Sequence, residues 1–202
     1  MIALSIGLIV AGVVGCAGGR MVRVESDSVP ELRENEAFLI VHMDTDISLD
    51  RVYMHFGSVA KDLPEGDHLW ILRMRAGDGS WERIGFGKHL GRRRSVNLEA
   101  IDLPNEEEFD FEIEPGVINY PGTLIVRSEV VPGLKRLEWT RIRNRNHSAR
   151  VVRRLIQSHP ELLRSRSIRY SGSGRDEFLT FYTSELADVD PPGEPDGERE
   201  EE

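Results

Sequence analysis

A chain of 202 residues with 39% hydrophobic and 30% charged side chains has the make-up of a soluble globular protein, which excludes an extended disordered chain and a multi-spanning membrane protein. Its formal net charge of −9 is uneven: nine acidic residues lie between Glu185 and Glu202 against Arg199 alone, so the rest of the chain is close to neutral. Arg127 to Arg175 holds thirteen basic residues against Glu129, Glu138 and Glu161, while acidic residues gather upstream; internal neutralisation is the simplest account, and nucleic acid is not an expected partner.

The first element is an apolar leader. Residues Ile2 to Gly15 carry no charged side chain and have the length of a signal-peptide core. A spanning helix needs roughly 17–25 apolar residues, and here Gly15, Gly18 and Gly19 dilute the run before Arg20 and Arg23 end it. Cys16 is the only cysteine, so it has no intramolecular disulfide partner and belongs to no multi-cysteine metal site. No Lys or Arg precedes the run, which leaves an uncleaved helix with Arg20 and Arg23 on its cytoplasmic side as the competing reading.

Val13-Val14-Gly15-Cys16 resembles the lipobox of bacterial lipoproteins. The resemblance implies a diacylglyceryl group on the Cys16 thiol, cleavage just before Cys16 and acylation of the new amino group. Residues 1–15 are then a signal peptide, and residues 16–35 a flexible tether between a membrane and the folded domain. Each buried methylene contributes about 0.8 kcal/mol, so two or three chains hold where one is marginal. Ala17 stands where an aspartate often retains such proteins in the inner membrane, which implies the outer membrane, facing the periplasm.

Residues 36–184 read as a single β-rich globular domain: mainly β, a β-sandwich-like antiparallel fold with a C-terminal helix. The predicted strands are Ala37–Met43, Arg51–Phe56, His68–Arg75, Trp81–Phe86, Phe109–Ile113, Gly116–Tyr120, Thr123–Val130 and Leu137–Arg143. Alternation places Trp70, Leu72 and Met74 on the core face of their strand. Ala76 to Ser80, with its two glycines, reads as the turn of a hairpin into the strand beginning at Trp81. Pro115-Gly116 fits a type II turn. The segment around it resembles a strand-turn-strand unit of uncharacterised bacterial lipoproteins with β-sandwich domains, a resemblance that names no activity. A helix is expected from His147 to Gln157, with Ala149, Val152, Leu155 and Ile156 on its apolar face and Asn146 as cap. Pro160 ends it or opens a short second helix. Ser171-Gly172-Ser173-Gly174 reads as a connector and Phe178–Tyr182 as a last strand or docked segment. Residues 185–202 are a disordered acidic tail.

Candidate chemistry is sparse. The six histidines are scattered; the nearest to a metal set is His42 with Asp44 and Asp46, which share a strand face at two-residue spacing and could offer imidazole and oxygen ligands. The carboxylates between Glu106 and Glu114 could serve as acid and base or form a solvated loop. Arg141, Arg143 and Arg145 share a strand face and, with Arg150, Arg153 and Arg154 on the next helix, could present a positive patch to an anionic envelope component or protein partner, or pair with the chain's own carboxylates. No cofactor is implied. The expected function is a non-catalytic, lipid-anchored binding module of the periplasm; the alternative is an envelope hydrolase whose His and carboxylate groups meet only in the fold.

Overall fold

The computed structural model describes residues 21–25, 28–89, 92–98, 106–130 and 137–187. Over these the chain is mainly β, with two sheets stacked as a sandwich and helices covering the outer face of one of them. The central sheet is built around β2 (Glu36–Thr45), in which seven successive residues from Ala37 to Met43 are buried. A strand facing water on one side alternates; this one is buried along most of its length because both its faces are covered. Ala37, Leu39, Val41 and Met43 point into the core between the sheets, and Phe38 and Ile40 into the core beneath the helices.

Along one edge of β2 runs β5 (Gly66–Arg75), antiparallel, from Arg75 opposite Glu36 to Gly66 opposite Thr45. Trp70, Leu72 and Met74 face the inter-sheet core as the alternation requires, while Ile71 packs beneath the helices. β1 (Val22–Val24) extends this edge by pairing with β5, so residues expected in the flexible tether belong to the sheet. The opposite edge of β2 is shared by two strands that run parallel to it. β9 (Ile118–Tyr120) lies beside Phe38 and Leu39, and β10 (Thr123–Val130) beside the stretch from His42 to Thr45. Between them Gly122 sits at φ +112°, and a Cβ there would lie 2.3 Å from Asn144 Oδ1. Only glycine lets the Asn144 amide donate to the Pro121 carbonyl at 2.8 Å and hold this kink. β11 (Leu137–Arg145) then pairs antiparallel with β10, and β12 (Ile168–Tyr170) parallel with β9. The central sheet is thus mixed rather than purely antiparallel.

The second sheet is antiparallel, in the order β4 (Gly57–Leu63), β3 (Leu49–Met54), β6 (Gly77–His89), β7 (Arg92–Asn97), with β8 (Asp110–Ile113) against the start of β6. The expected hairpin between His68–Arg75 and Trp81–Phe86 does not form, because β5 and β6 lie in different sheets. β5 is packed on both faces, Ile71 beneath the helices and Trp70, Leu72 and Met74 between the sheets, and is drawn into the central sheet. The chain crosses at Ala76-Gly77, where Gly77 takes φ +136° and the Ala76 N–H donates to the Asn35 carbonyl at 2.8 Å. The glycine signal was real but marks a crossing between layers. At Pro115-Gly116, by contrast, Gly116 at φ +79° makes the expected turn.

The helices are α1 (Ser148–Ser158), α2 (Pro160–Ser165) and α3 (Glu177–Ala187). α1 buries Val151, Val152 and Leu155, whereas Ala149 and Ile156 are exposed, so its packed face is rotated from the expected one. Asn146 Oδ1 accepts the Ser148 N–H at 3.0 Å at its start. Phe178–Tyr182 is helical, not a strand: Asp176 Oδ1 accepts the Leu179 N–H at 2.9 Å, an N-cap that nucleates α3. α3 continues to Ala187, past the expected start of the tail. Among the described residues no helix is long and apolar enough to cross a membrane.

Candidate functional site

Two clusters of polar side chains stand out. The first begins where the apolar row of β2 facing the helices, Phe38 and Ile40, continues into His42. His42 is wholly buried, with Nδ1 2.6 Å from Thr123 Oγ1 and Nε2 2.7 Å from Asp67 Oδ1. Thr123 Oγ1 lies 2.7 Å from the Tyr120 hydroxyl, which accepts the His147 N–H at 2.9 Å. Burial pushes the Tyr120 phenol up to about 12, so it stays protonated and donates to Thr123. Thr123 then donates to His42 Nδ1, and Nε2–H donates to Asp67. Each hydroxyl gives one hydrogen bond and takes one, and that sequence assigns the neutral Nε2–H tautomer.

Burial lowers the His42 imidazole, more than the Asp67 carboxylate beside it raises it. Burial also works to raise Asp67, but the His42 hydrogen bond and the guanidinium charges of Arg154 and Arg150 outweigh it and hold Asp67 below the ordinary carboxylate value. The direction we assign to the pair is a neutral imidazole beside an ionised carboxylate held by two guanidiniums at 2.5 Å.

Asp44 and Asp67 sit directly opposite each other on β2 and β5, an arrangement that repels unless a cation lies between. Arg150 supplies it, at 3.5 Å from Asp44 and 2.5 Å from Asp67; Arg154 adds a second contact to Asp67, and Arg127 from β10 reaches Asp44 at 2.8 Å. This cluster fastens α1 to the central sheet. It has a histidine, a carboxylate and a hydroxyl in line, but His42 and Thr123 have no exposed surface for a substrate to reach.

The second cluster is an open cleft of about 530 Å³ where β6 and β8 of the second sheet meet the segment after β12. Asp78 and Ser80 on β6 stand opposite Glu112 and Asp110 on β8, and two-residue spacing puts all four on one face. His55 borders it from the turn after β3, whose backbone N–H donates to the Ser80 carbonyl at 2.9 Å. The other wall is Ser171 to Ser173; the Ser171 carbonyl accepts the Glu112 N–H at 3.2 Å. Gly79 lies beneath, where a Cβ would meet the Phe111 ring at 2.5 Å. Arg169 neutralises Glu112 in part, at 3.5 Å, but among the described residues no ion pair meets Asp78 or Asp110. The His55 side chain is 64% exposed, its Nδ1 3.4 Å from Glu82.

No protein-family model, curated protein or solved structure matches this chain. Of the residues singled out from sequence, His42 and Asp44 fall in the first cluster with separate partners. Asp46 lies just beyond β2 and accepts the Ser128 N–H at 2.8 Å. Among the described residues no three His, Cys, Asp or Glu side chains are placed to hold a metal ion, and both ring nitrogens of His42 are already engaged. Arg150 and Arg154 bind Asp44 and Asp67, and Arg143 lies 3.6 Å from Glu108, so the basic stretch is drawn onto the chain's own acids. Arg141, Arg145 and Arg153 are exposed. Cys16 lies outside the described residues.

Sequence reasoning missed Asp67, Thr123 and the cleft. Nothing local marks Asp67, whose partners are distant in sequence, and Thr123, though bonded to Tyr120 three residues away, meets His42 only through the fold. Asp78 was hidden in a Gly-Asp-Gly-Ser run with the composition of a turn. The shared face of Asp110 and Glu112 was legible from their spacing.

Proposed function

We propose that this chain is a lipid-anchored protein of a bacterial cell envelope, held by acyl chains on Cys16, with a non-catalytic periplasmic binding module as its folded region. The Val13-Val14-Gly15-Cys16 sequence supports the anchor, and Ala17 supports the outer membrane. The observation that carries the non-catalytic reading is the burial of His42 and Thr123. The histidine and the hydroxyl that line up with Asp67 are enclosed by the core, and the set is used to dock α1. Binding falls instead to the surface, where internal pairing leaves the arginine patch reduced and the acid-lined cleft uncompensated.

The test is a Cys16→Ser chain expressed beside the wild type. We expect wild-type protein in the membrane fraction and the variant released from it; a variant retained in membranes at full length contradicts the proposal. A second reading, an envelope hydrolase, is favoured by one observation: the cleft unites His55 with Asp78, Asp110 and Glu112. Turnover of ester, amide or phosphoester probes by wild type that is abolished by His55→Ala would establish it in place of the binding module.

A further inference from the structure

His42 and α1 are joined in two ways. The ring Nε2 meets Asp67 Oδ1 at 2.7 Å; the same carboxylate holds Arg150 and Arg154 of the helix, and Arg154 Nη1 lies 3.5 Å from Nε2 itself. Through Nδ1 the ring reaches Thr123 and then the Tyr120 hydroxyl, which accepts the N–H of His147, the residue that opens α1. The ring has no exposed surface, and Arg154 closes its Nε2 edge. The charged and titratable groups around it are Asp44 on its own strand, Asp67 on β5, Tyr120 on β9, Arg127 on β10, and Arg150 and Arg154 on α1; Arg145 stands opposite Thr123 on β11, and Asp176 bears on Tyr120 from the start of α3.

In this cluster the guanidiniums of Arg127, Arg150 and Arg154 already outnumber the carboxylates of Asp44 and Asp67, so a proton on the ring adds to a positive excess and sets His42 against Arg154. It also reverses the hydrogen bonds. A protonated Nδ1 donates, so Thr123 turns to accept from it and to donate to Tyr120; Tyr120 is left with the Arg145 carbonyl at 3.5 Å in place of Thr123 at 2.7 Å. Both effects fall where α1 is held and where it starts. β2 is secured elsewhere: it pairs with β5 from Glu36 to Thr45 and with β9 and β10 on its other edge, and its second face lies in the core between the sheets.

From this we infer that His42 is the catch of a proton-operated latch: a proton on its ring frees α1 from the central sheet while the strands stay paired. Lifting the helix lets water reach the ring, and the released form then takes up the proton more readily than the docked one, because burial lowers His42 in the docked form. Docking is therefore complete above the ordinary value of 6.5 and weakens below it. Asp67, held below 3.8, stays ionised between pH 7 and pH 5. The latch depends on neither Cys16 nor the acid-lined cleft.

The experiment is hydrogen exchange of the full-length chain in neutral detergent at pH 7, 6 and 5, read by mass spectrometry and corrected for the intrinsic pH dependence of amide exchange. We expect the amides of α1 to exchange through an opening of their own, about tenfold or more faster than those of β2 at every pH. Their protection falls by about tenfold for each pH unit below 6.5 until the docked protein is itself protonated. In His42→Gln the protection of α1 no longer changes with pH, whereas the change persists in His147→Gln and His159→Gln, which alter the histidines at the two ends of the helix. Protection of α1 that is constant from pH 7 to pH 5, one protection shared by α1 and β2 at every pH, or a pH dependence that survives His42→Gln or follows His147 or His159 overturns the latch. Should His42→Gln fail to fold, the wild-type rates and the two other variants decide.

Discussion

Replacing Thr123 by valine keeps the shape of the side chain and removes its hydroxyl, so it isolates what the buried hydrogen-bond chain contributes. The Tyr120 hydroxyl then loses its close acceptor and His42 Nδ1 loses its donor, both in a place water does not reach. Leaving such groups unpaired costs about 1–3 kcal/mol, and we expect Thr123→Val to lower unfolding stability by that amount in urea titrations at neutral pH. An unchanged midpoint contradicts the chain as drawn. His42 makes a different prediction. Because burial lowers its pKa below 6.5, its neutral form belongs to the folded state, and its full contribution is present above that value. As pH falls below 6.5 the unfolded chain takes up the proton first, and stability declines until the folded protein protonates too. Asp67, held below 3.8, has the same sense: its contribution is present above 3.8 and is lost as pH falls through its depressed value. Unfolding free energy of the wild type therefore falls from pH 7 toward pH 5, and we expect a flatter profile in His42→Gln; parallel profiles contradict the assignment.

At the scale of elements, β6 and β8 show a local rule broken where the cleft lies. Relieving the opposition of Asp78 and Glu112 by Asp78→Asn should stabilise the protein by a few tenths to about 1 kcal/mol, read as a raised thermal midpoint. Asp67→Asn, a superficially similar change, removes the charge that Arg150 and Arg154 share and should destabilise the docking of α1. The contrast separates an acid that the fold does not need from one that it does. The elements also show what the sequence could reveal. The apolar run of β2, the turn at Gly116 and the start of α1 were legible because their signals are local. The placement of β5 and β6 in separate sheets was not, because a glycine pair between two strands looks the same whether the chain turns back or crosses over. α3 was left open between a strand and a docked segment because its aromatic residues carry strand propensity while its Asp176 cap acts three residues ahead. The candidate site was less legible still: of its carboxylates only Asp110 and Glu112 announced a shared face, and pairing with Asp78 depended on register.

At the scale of the whole molecule, charge segregation has a structural use. The basic stretch from Arg127 to Arg175 folds back onto Asp44, Asp67, Glu108, Glu112 and Glu114, so α1 and β12 are fastened to strands far away in sequence. Two apolar cores, one between the sheets and one beneath the helices, share the central sheet, which is why β2 is buried on both faces. On the proposed reading this body is carried at a bilayer by its N-terminus, with the cleft open to the surrounding solution. The central claim is that Cys16 becomes the first residue of the mature chain and bears the lipid. Intact-mass spectrometry of the protein extracted from membranes tests it most directly. The account predicts a polypeptide beginning at Cys16 with added diacylglyceryl and acyl mass; an unmodified chain that still begins at Met1 would contradict it.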